Sequence, residues 1–219
     1  MSSNIIYNED CILTLNKDLE YDYVFFSPPE YSELELEPIR DDNKYFGWME
    51  EVYSKFNPQK NVVTIVVSDR RYKRKTIPKH QYITDIMKNL GYDLLNQKIW
   101  EKSKAINIYR YNYAFVMSYG RKKFKSKNIK SFKYDTWYHP HQTYKGYSYN
   151  MPMEVVTKCI ENYTEEGDVV YDPFMGIGTT AIACNTLNRK YIGSEINPET
   201  FNLGLSRISQ TPNKLKYFI

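Results

Sequence analysis

An α/β fold built on a doubly wound, mostly parallel sheet is predicted by three features of this sequence. Short apolar, β-branched runs alternate with amphipathic stretches at helical spacing. One run ends at a double-proline corner, Ser27-Pro28-Pro29. Another feeds a glycine-rich turn, Asp172-Pro173-Phe174-Met175-Gly176-Ile177-Gly178-Thr179-Thr180, that opens into a helix. Ligands of such sheets sit outside the carboxyl ends of the strands, so one cleft can use both corners.

Taken in order, Tyr21 to Phe26 reads as a strand that must stop at the prolines, which lack N–H donors and fix φ. Asp42 to Phe56 carries Phe46, Met49, Val52, Tyr53 and Phe56 at helical spacing. Asn61 to Val67 is a continuous β-branched run suited to a strand buried on both faces. Ile77 to Leu90 reads as a helix stopped by Gly91. Tyr92 to Trp100 and Ile106 to Tyr119 read as strands, paired antiparallel. Arg121 to Asn150 is loop-like and aromatic, and Pro152 to Tyr163 is a helix with proline near its first position. Val169 to Tyr171 is the strand before the glycine turn and Thr179 to Leu187 the helix after it. A short strand, Tyr191-Ile192-Gly193, and a helix from Pro198 to Ile208 complete the chain. A length of 219 residues fits one domain, 1–219, with 121–150 as an insertion.

The glycine turn carries the chemistry. Its two glycines permit positive φ and close approach of a ligand to the backbone, and the helix start offers free N–H groups. Glu195 ends the next strand about 20 residues after the turn, where a carboxylate can accept both hydroxyls of a ribose. No P-loop lysine follows the glycines. The turn therefore suits a nucleoside joined to an amino acid, as in S-adenosylmethionine, better than a phosphate.

Composition narrows the setting. No run of about 18 apolar residues exists to cross a membrane, and the N-terminus lacks the basic and apolar parts of a signal peptide. Cys11, Cys159 and Cys184 are scattered, without a CxxC pair, as expected of reduced thiols in an intracellular protein. His139-Pro140-His141 brings no further ligand set near it, so no metal is expected. The net charge is only +4, but it is unevenly spread. Arg70, Arg71, Lys73, Arg74, Lys75 and Lys79 crowd one segment, and Arg121, Lys122, Lys123 and Lys125 begin another. Acidic Glu33, Glu35, Glu37 and Asp41 lie between the proline corner and the first cluster. Phe124, Phe132, Tyr134, Trp137, Tyr138 and Tyr144 lie in or beyond the second. Charge for phosphates beside rings for bases points to nucleic acid. Arg70, Arg71, Lys73, Arg74, Lys122, Lys123, Lys125 and Trp137 are the residues expected to face it.

Together these residues resemble the amino-group DNA methyltransferases of the permuted, β-type arrangement. That family places a [DS]PP[YFW] motif early and a DPFxGSGTT loop late, the order found here. Asn8-Glu9-Asp10-Cys11 resembles the segment whose aspartate accepts from the cofactor adenine, which falls on Asp10. Tyr21 to Pro29 resembles the catalytic strand and its corner. Gly91 to Lys102 and Asn188 to Asn197 resemble two further passages, so the resemblance spans nearly the whole chain.

It implies a Rossmann-like class I methyltransferase fold in permuted order and S-adenosyl-L-methionine as cofactor. Asp10, Asp172, Pro173, Phe174, Gly176, Gly178, Thr179, Glu195 and Asn197 would hold it. Ser27, Pro28, Pro29 and Tyr31 would be the catalytic set. DNA is the implied partner, RNA staying open as the alternative, and the segment 121–150 would read the target. Two departures stand out. The family puts an aromatic residue directly after the prolines to stack on the flipped base, where this chain has Glu30, with Tyr31 next to take over. Ile177 stands where the family usually has serine.

The implied chemistry is direct displacement. Ser27 Oγ and the Pro28 carbonyl would hold an exocyclic amine, shift it toward sp³ and aim it at the sulfonium methyl, alignment contributing up to about 7–11 kcal/mol. Carbon-5 methylation would need a thiol following proline, and none of the three cysteines does. Serine before the prolines is commoner among cytosine-N4 enzymes of the family, so cytosine N4 is the expected acceptor and adenine N6 the alternative. Other readings are a silent methyltransferase-like subunit, methylation of a protein amide, and a nicotinamide dehydrogenase. So short a target segment would read a few base pairs, or act with a partner subunit or second copy. Restriction–modification, viral genome marking and regulation all remain open as purposes.

Replacing Lys122, Lys123 and Lys125 with alanine is expected to weaken DNA binding on every sequence and to flatten its salt dependence. Binding isotherms across a salt series check this; an unchanged slope removes these lysines from the interface.

Overall fold

The computed structural model describes residues 4–104, 111–121, 132–145 and 147–211. Its strands are β1 (Ile5–Tyr7), β2 (Tyr23–Phe26), β3 (Val62–Val67), β4 (Arg70–Tyr72), β5 (Lys75–Ile77), β6 (Asp93–Glu101), β7 (Tyr113–Gly120), β8 (Thr136–Tyr138), β9 (Gln142–Tyr144), β10 (Tyr147–Asn150), β11 (Val169–Asp172) and β12 (Lys190–Ser194). The α-helices are α1 (Cys11–Leu15), α2 (Asp42–Ser54), α3 (Lys79–Asn89), α4 (Met153–Tyr163), α5 (Thr179–Thr186) and α6 (Pro198–Ser209). Two compact units result. The first is built on Met1–Phe26, Lys125–Lys133 and His141–Ile219, the second on Ser27–Phe124 and Tyr134–Pro140.

In the first unit the strands run β1-β12-β11-β2, every pairing parallel. The register sets Ile6 and Asp172 on either side of Gly193, and Tyr171 beside Val24. All four residues of β2 are buried, as parallel strands require. Helix α4 turns Val155, Val156, Cys159 and Ile160 inward, an amphipathic stripe. Helix α5 is buried from Thr179 through Cys184, which its small residues allow. The two helices pack on each other, α4 also on β2 and α5 on β12. Arg189 holds the end of α4, donating to the Thr164 carbonyl at 2.9 Å and its hydroxyl at 3.1 Å. Strand β1, three residues long, is too short to show a period in the sequence.

The second unit is mixed. Strand β3 pairs antiparallel with β7, β7 antiparallel with β6, and β6 parallel with β8. All six residues of β3 are buried, as its continuous β-branched run leads one to expect. Thr64, the one hydroxyl in that strand, meets Ser118 of β7 at 2.8 Å, which satisfies both in the dry interior. The antiparallel β6/β7 pair is as expected; residues 105–110 lie outside those described. Helices α2 and α3 pack on each other with Tyr45, Met49, Val52, Ile83 and Met87 buried. Gly91 follows α3 at φ +87°, the left-handed position that ends helices.

Two features differ from the sequence reading. The basic stretch after Asp69 is a hairpin, β4/β5, whose turn residues Lys73 and Arg74 have φ of 47° and 65°. Such turns usually announce themselves with Asn-Gly, and Lys-Arg gives no such signal. The stretch expected to be loop contains β8, β9 and β10, and β8 lies beside β6 with Trp137 opposite Trp100. The α/β, mostly parallel architecture itself is the one expected. Among the described residues, no helix is long and apolar enough to cross a membrane.

Gly204 of α6 lies against the glycine turn. A Cβ there would meet the Gly176 carbonyl oxygen at 3.0 Å and Ile177 Cα at 3.3 Å, both backbone atoms. G204A should lower stability by about 1–3 kcal/mol through this overpacking, although alanine is the better helix former by about 1 kcal/mol. Urea denaturation measures the sign; a gain would mean that α6 shifts freely off the turn.

Candidate active site

The parallel register of the first unit brings four strand ends to one edge. Asp10 follows β1 and caps α1, its Oδ1 accepting from the Ile12 amide at 2.8 Å. Glu195 follows β12, Asp172 ends β11, and Phe26 ends β2. The Phe26 ring stands edge-on to Phe174, with centroids 5.5 Å apart. Ser27 is the next residue in the chain, so the strand that leads into the proline corner touches the glycine turn.

Within the turn, Asp172 is the organiser. Its side chain is buried; Oδ1 accepts from the Phe174 amide at 2.9 Å and Oδ2 from the Thr180 hydroxyl at 2.5 Å. Burial pushes its pKa up to about 7, Glu195 adds to the rise, and the two hydrogen bonds oppose it. Gly176 and Gly178 have φ of 55° and 79°, which an L side chain rarely adopts. Gly178 is the N-cap of α5. At Gly193, across the β11/β12 ladder, a Cβ would strike the Met175 side chain at 2.2 Å and the Asp172 carbonyl oxygen at 3.1 Å.

Glu195 does more than face outward. One carboxylate oxygen accepts from the Gly176 amide and the other from the Asn197 amide, both at 2.9 Å. A carboxylate offers about four lone-pair sites, so this bracing and acceptance from ribose hydroxyls are compatible. Asn197 caps α6, its Oδ1 accepting from Glu199 and Thr200. The Thr179 hydroxyl donates to Asn150 Oδ1 at 2.7 Å and accepts from Arg207 at 2.8 Å. Arg207 also donates to the Ile177 carbonyl at 3.2 Å and lies over the Tyr144 ring at 5.2 Å. Asn150, Tyr144 and Arg207 thus support the turn from β9, β10 and α6. The sequence reading missed Asn150 and Arg207, because each lies at least 28 positions away from its partner in the turn and belongs to no motif, and it counted Tyr144 only among the rings beside the second basic cluster.

In the second unit the proline corner is set out as follows. Ser27 is exposed, Pro28 buried and Pro29 half-buried. The Tyr45 hydroxyl donates to the Pro29 carbonyl at 2.8 Å. Tyr31, expected to stack on a base, is 0% exposed. Its ring stacks on Tyr45 with centroids 3.9 Å apart, and its hydroxyl donates to Asp42 at 2.7 Å. That ring belongs to the core and has no free face.

Glu30, in the position next to the prolines, is tied by two cations. Lys79, whose side chain is 1% exposed, donates to Oε1 at 2.9 Å, and Arg70 Nη1 lies 3.6 Å from Oε2. Glu37 in turn accepts from Tyr72 at 2.7 Å and Lys73 at 3.2 Å. The acidic segment and the basic hairpin therefore neutralise each other in part. Arg71 sits over Tyr111 at 4.3 Å, and Lys73 and Arg74 form the hairpin tip. Trp137 is only 4% exposed in β8, so it is a core residue and presents no ring to nucleic acid. Lys122, Lys123 and Lys125 lie outside the described residues. His80 Nδ1 meets both oxygens of Asp69 at 2.8 Å and its ring stacks on Phe115. Among the described residues no His, Cys, Asp and Glu cluster could hold a metal ion, and all three cysteines are buried, free thiols.

Because Asp172 takes a proton more readily folded than unfolded, its contribution is sign-defined. The native chain binds the extra proton between the ordinary carboxyl value and about 7. Stability should therefore fall as pH rises through that window. D172N should remove this slope in thermal melts from pH 4 to 8; an unchanged slope would place the titration elsewhere.

Comparison with known proteins agrees with this layout. A family described as DNA methylase, N6_N4_Mtase, matches residues 21–206. Type II methyltransferase M.XycI of Xanthomonas campestris pv. cyanopsidis is 46% identical over 57 residues, which is 26% of this chain and 19% of that protein. The match thus spans about a fifth of that relative. Among solved structures, TTHA0409 of Thermus thermophilus, a putative DNA modification methylase complexed with S-adenosyl-L-methionine, superposes with a TM-score of 0.73 at 23% identity and 94% coverage of both chains. The PvuII DNA methyltransferase, cytosine-N4-specific, gives 0.75 at 16% identity, covering 98% of this chain and 93% of that one. The fold is that of these enzymes, and the family match takes in both the proline corner and the glycine turn: the chain belongs to the N6_N4 DNA methylase family.

Proposed function

We propose that this protein transfers the methyl group of S-adenosyl-L-methionine to an exocyclic amino group of a DNA base, with cytosine N4 the favoured acceptor. The observation that carries the reading is the shared carboxyl edge, where Asp10, Asp172 and Glu195 surround a glycine turn that Phe174 joins to Phe26. The Asp10 and Glu195 carboxylates, with buried and only partly ionised Asp172 behind the turn, suit a ligand bearing a sulfonium and an ammonium better than a dinucleotide's phosphates. The backbone of the turn would receive the nucleoside and Glu195 its ribose. Asp172, Thr179 and Asn197 would act by holding that backbone in shape.

At the acceptor end, Ser27 Oγ and the Pro28 carbonyl would take the two amino hydrogens. The nitrogen lone pair then forms the new N–C bond as the C–S bond breaks, and the proton passes from nitrogen to solvent. No covalent enzyme intermediate is involved. The three buried thiols, Cys11 pushed up to about 12 by burial, are poor nucleophiles. Cytosine is preferred to adenine on the serine at position 27, by resemblance to enzymes of this family. A duplex base must first leave the stack, at a cost of a few kcal/mol.

Incubation with radiolabelled cofactor, then digestion of DNA and RNA to nucleosides, tests the reading. Label in N4-methyl-2′-deoxycytidine is expected; label in N6-methyl-2′-deoxyadenosine alone overturns the base assignment, and none in DNA overturns the activity. S27A should lower kcat about tenfold or more while leaving cofactor affinity by calorimetry unchanged. Loss of cofactor binding in S27A would move the donor site to the proline corner.

A further inference from the structure

Arg70 is the group that replaces the missing ring, we propose: its guanidinium plane stacks on the target base at the proline corner. This rests on the methyltransferase reading above. A base drawn out of the duplex needs a planar surface against it, and the side chains that follow the prolines do not supply one. Tyr31 is sealed in the core between Tyr45 and Asp42. Glu30 offers a carboxylate.

That carboxylate holds a plane in place. Arg70 Nη1 lies 3.6 Å from Glu30 Oε2, and Glu30 is bonded to Pro29, so the guanidinium stands within one side chain of the corner. The other Glu30 oxygen is fixed by buried Lys79. Lys79 is itself anchored by its position at the start of α3, next to His80, whose ring is locked to Asp69, the neighbour of Arg70. The two pairs of neighbours, Asp69-Arg70 and Lys79-His80, thus grip each other and Glu30 together. Arg70 Nε and Glu30 Oε2 are buried with no hydrogen-bond partner among the described residues, while 36% of the Arg70 side chain stays exposed. A guanidinium with its edge covered and part of its surface open is the geometry for stacking. Arginine planes stack on bases, as aromatic rings do, and an ammonium cannot.

Three variants separate the plane from the charge. R70K keeps the charge, R70Y keeps a plane, and R70A keeps neither. With labelled cofactor and unmethylated plasmid DNA, R70A and R70K should both lose about tenfold or more in kcat. R70Y should stay closer to wild type, and all three should bind cofactor normally. If R70K turns over like wild type, or exceeds R70Y with the loss confined to KM, Arg70 is a phosphate contact and the stacking role falls. If wild-type protein labels no DNA, the methyltransferase reading falls and takes this one with it.

Discussion

One buried carboxylate sets the shape on which the ligand edge depends. Asp172 ends a strand whose next residue is proline, so the chain must turn, and the carboxylate binds the Phe174 amide and the Thr180 hydroxyl across that turn. This closes the loop onto the first turn of α5. Its cost is visible in the raised pKa: an ion with two donors is still short of the solvation it had in water. A cationic ligand at the edge would supply part of what burial removes. Structure and ligand preference then follow from the same charge.

A comparable exchange explains the second unit. The acidic run after the prolines looks hostile to a polyanion when read along the chain. In space, Glu30 meets Lys79 and Arg70, and Glu37 meets Lys73, Arg40 and Tyr72. The Glu30–Lys79 pair has one buried member, so it is costly to break by removing either side alone. Exposed pairs such as Lys73–Glu37 contribute little. The acids therefore serve to position cations of the hairpin more than to stabilise the fold, and their repulsion of phosphate is reduced.

How much was legible in the sequence depends on range. Strand β3 is unmistakable because six consecutive buried residues leave no alternative, and the glycine turn because its φ values demand glycine. Tyr31 and Trp137 misled for one reason: an aromatic residue near a motif looks the same whether it faces a ligand or the core. Only the partners decide, Tyr45 and Asp42 for one, the β6 register for the other. Arg207 and Asn150 were invisible because they reach the turn from helix α6 and strand β10, at separations of 28 and 29 residues. The hairpin turn was hidden by residues that pay the left-handed strain without announcing it.

The chemistry of the proline corner is consistent with the role proposed for Ser27. Proline removes two amide donors, so nothing in the backbone of Pro28 or Pro29 competes to donate to a ligand, and only acceptors remain. Tyr45 then occupies the Pro29 carbonyl. In the proposed reaction Ser27 Oγ and the Pro28 carbonyl, on successive residues, would face a group with two hydrogens and one lone pair. An amino group could donate to both, whereas an exocyclic carbonyl oxygen has no hydrogen to give either. Selectivity for amino groups over exocyclic oxygens would then come from counting donors, and would require no ionised base at the corner.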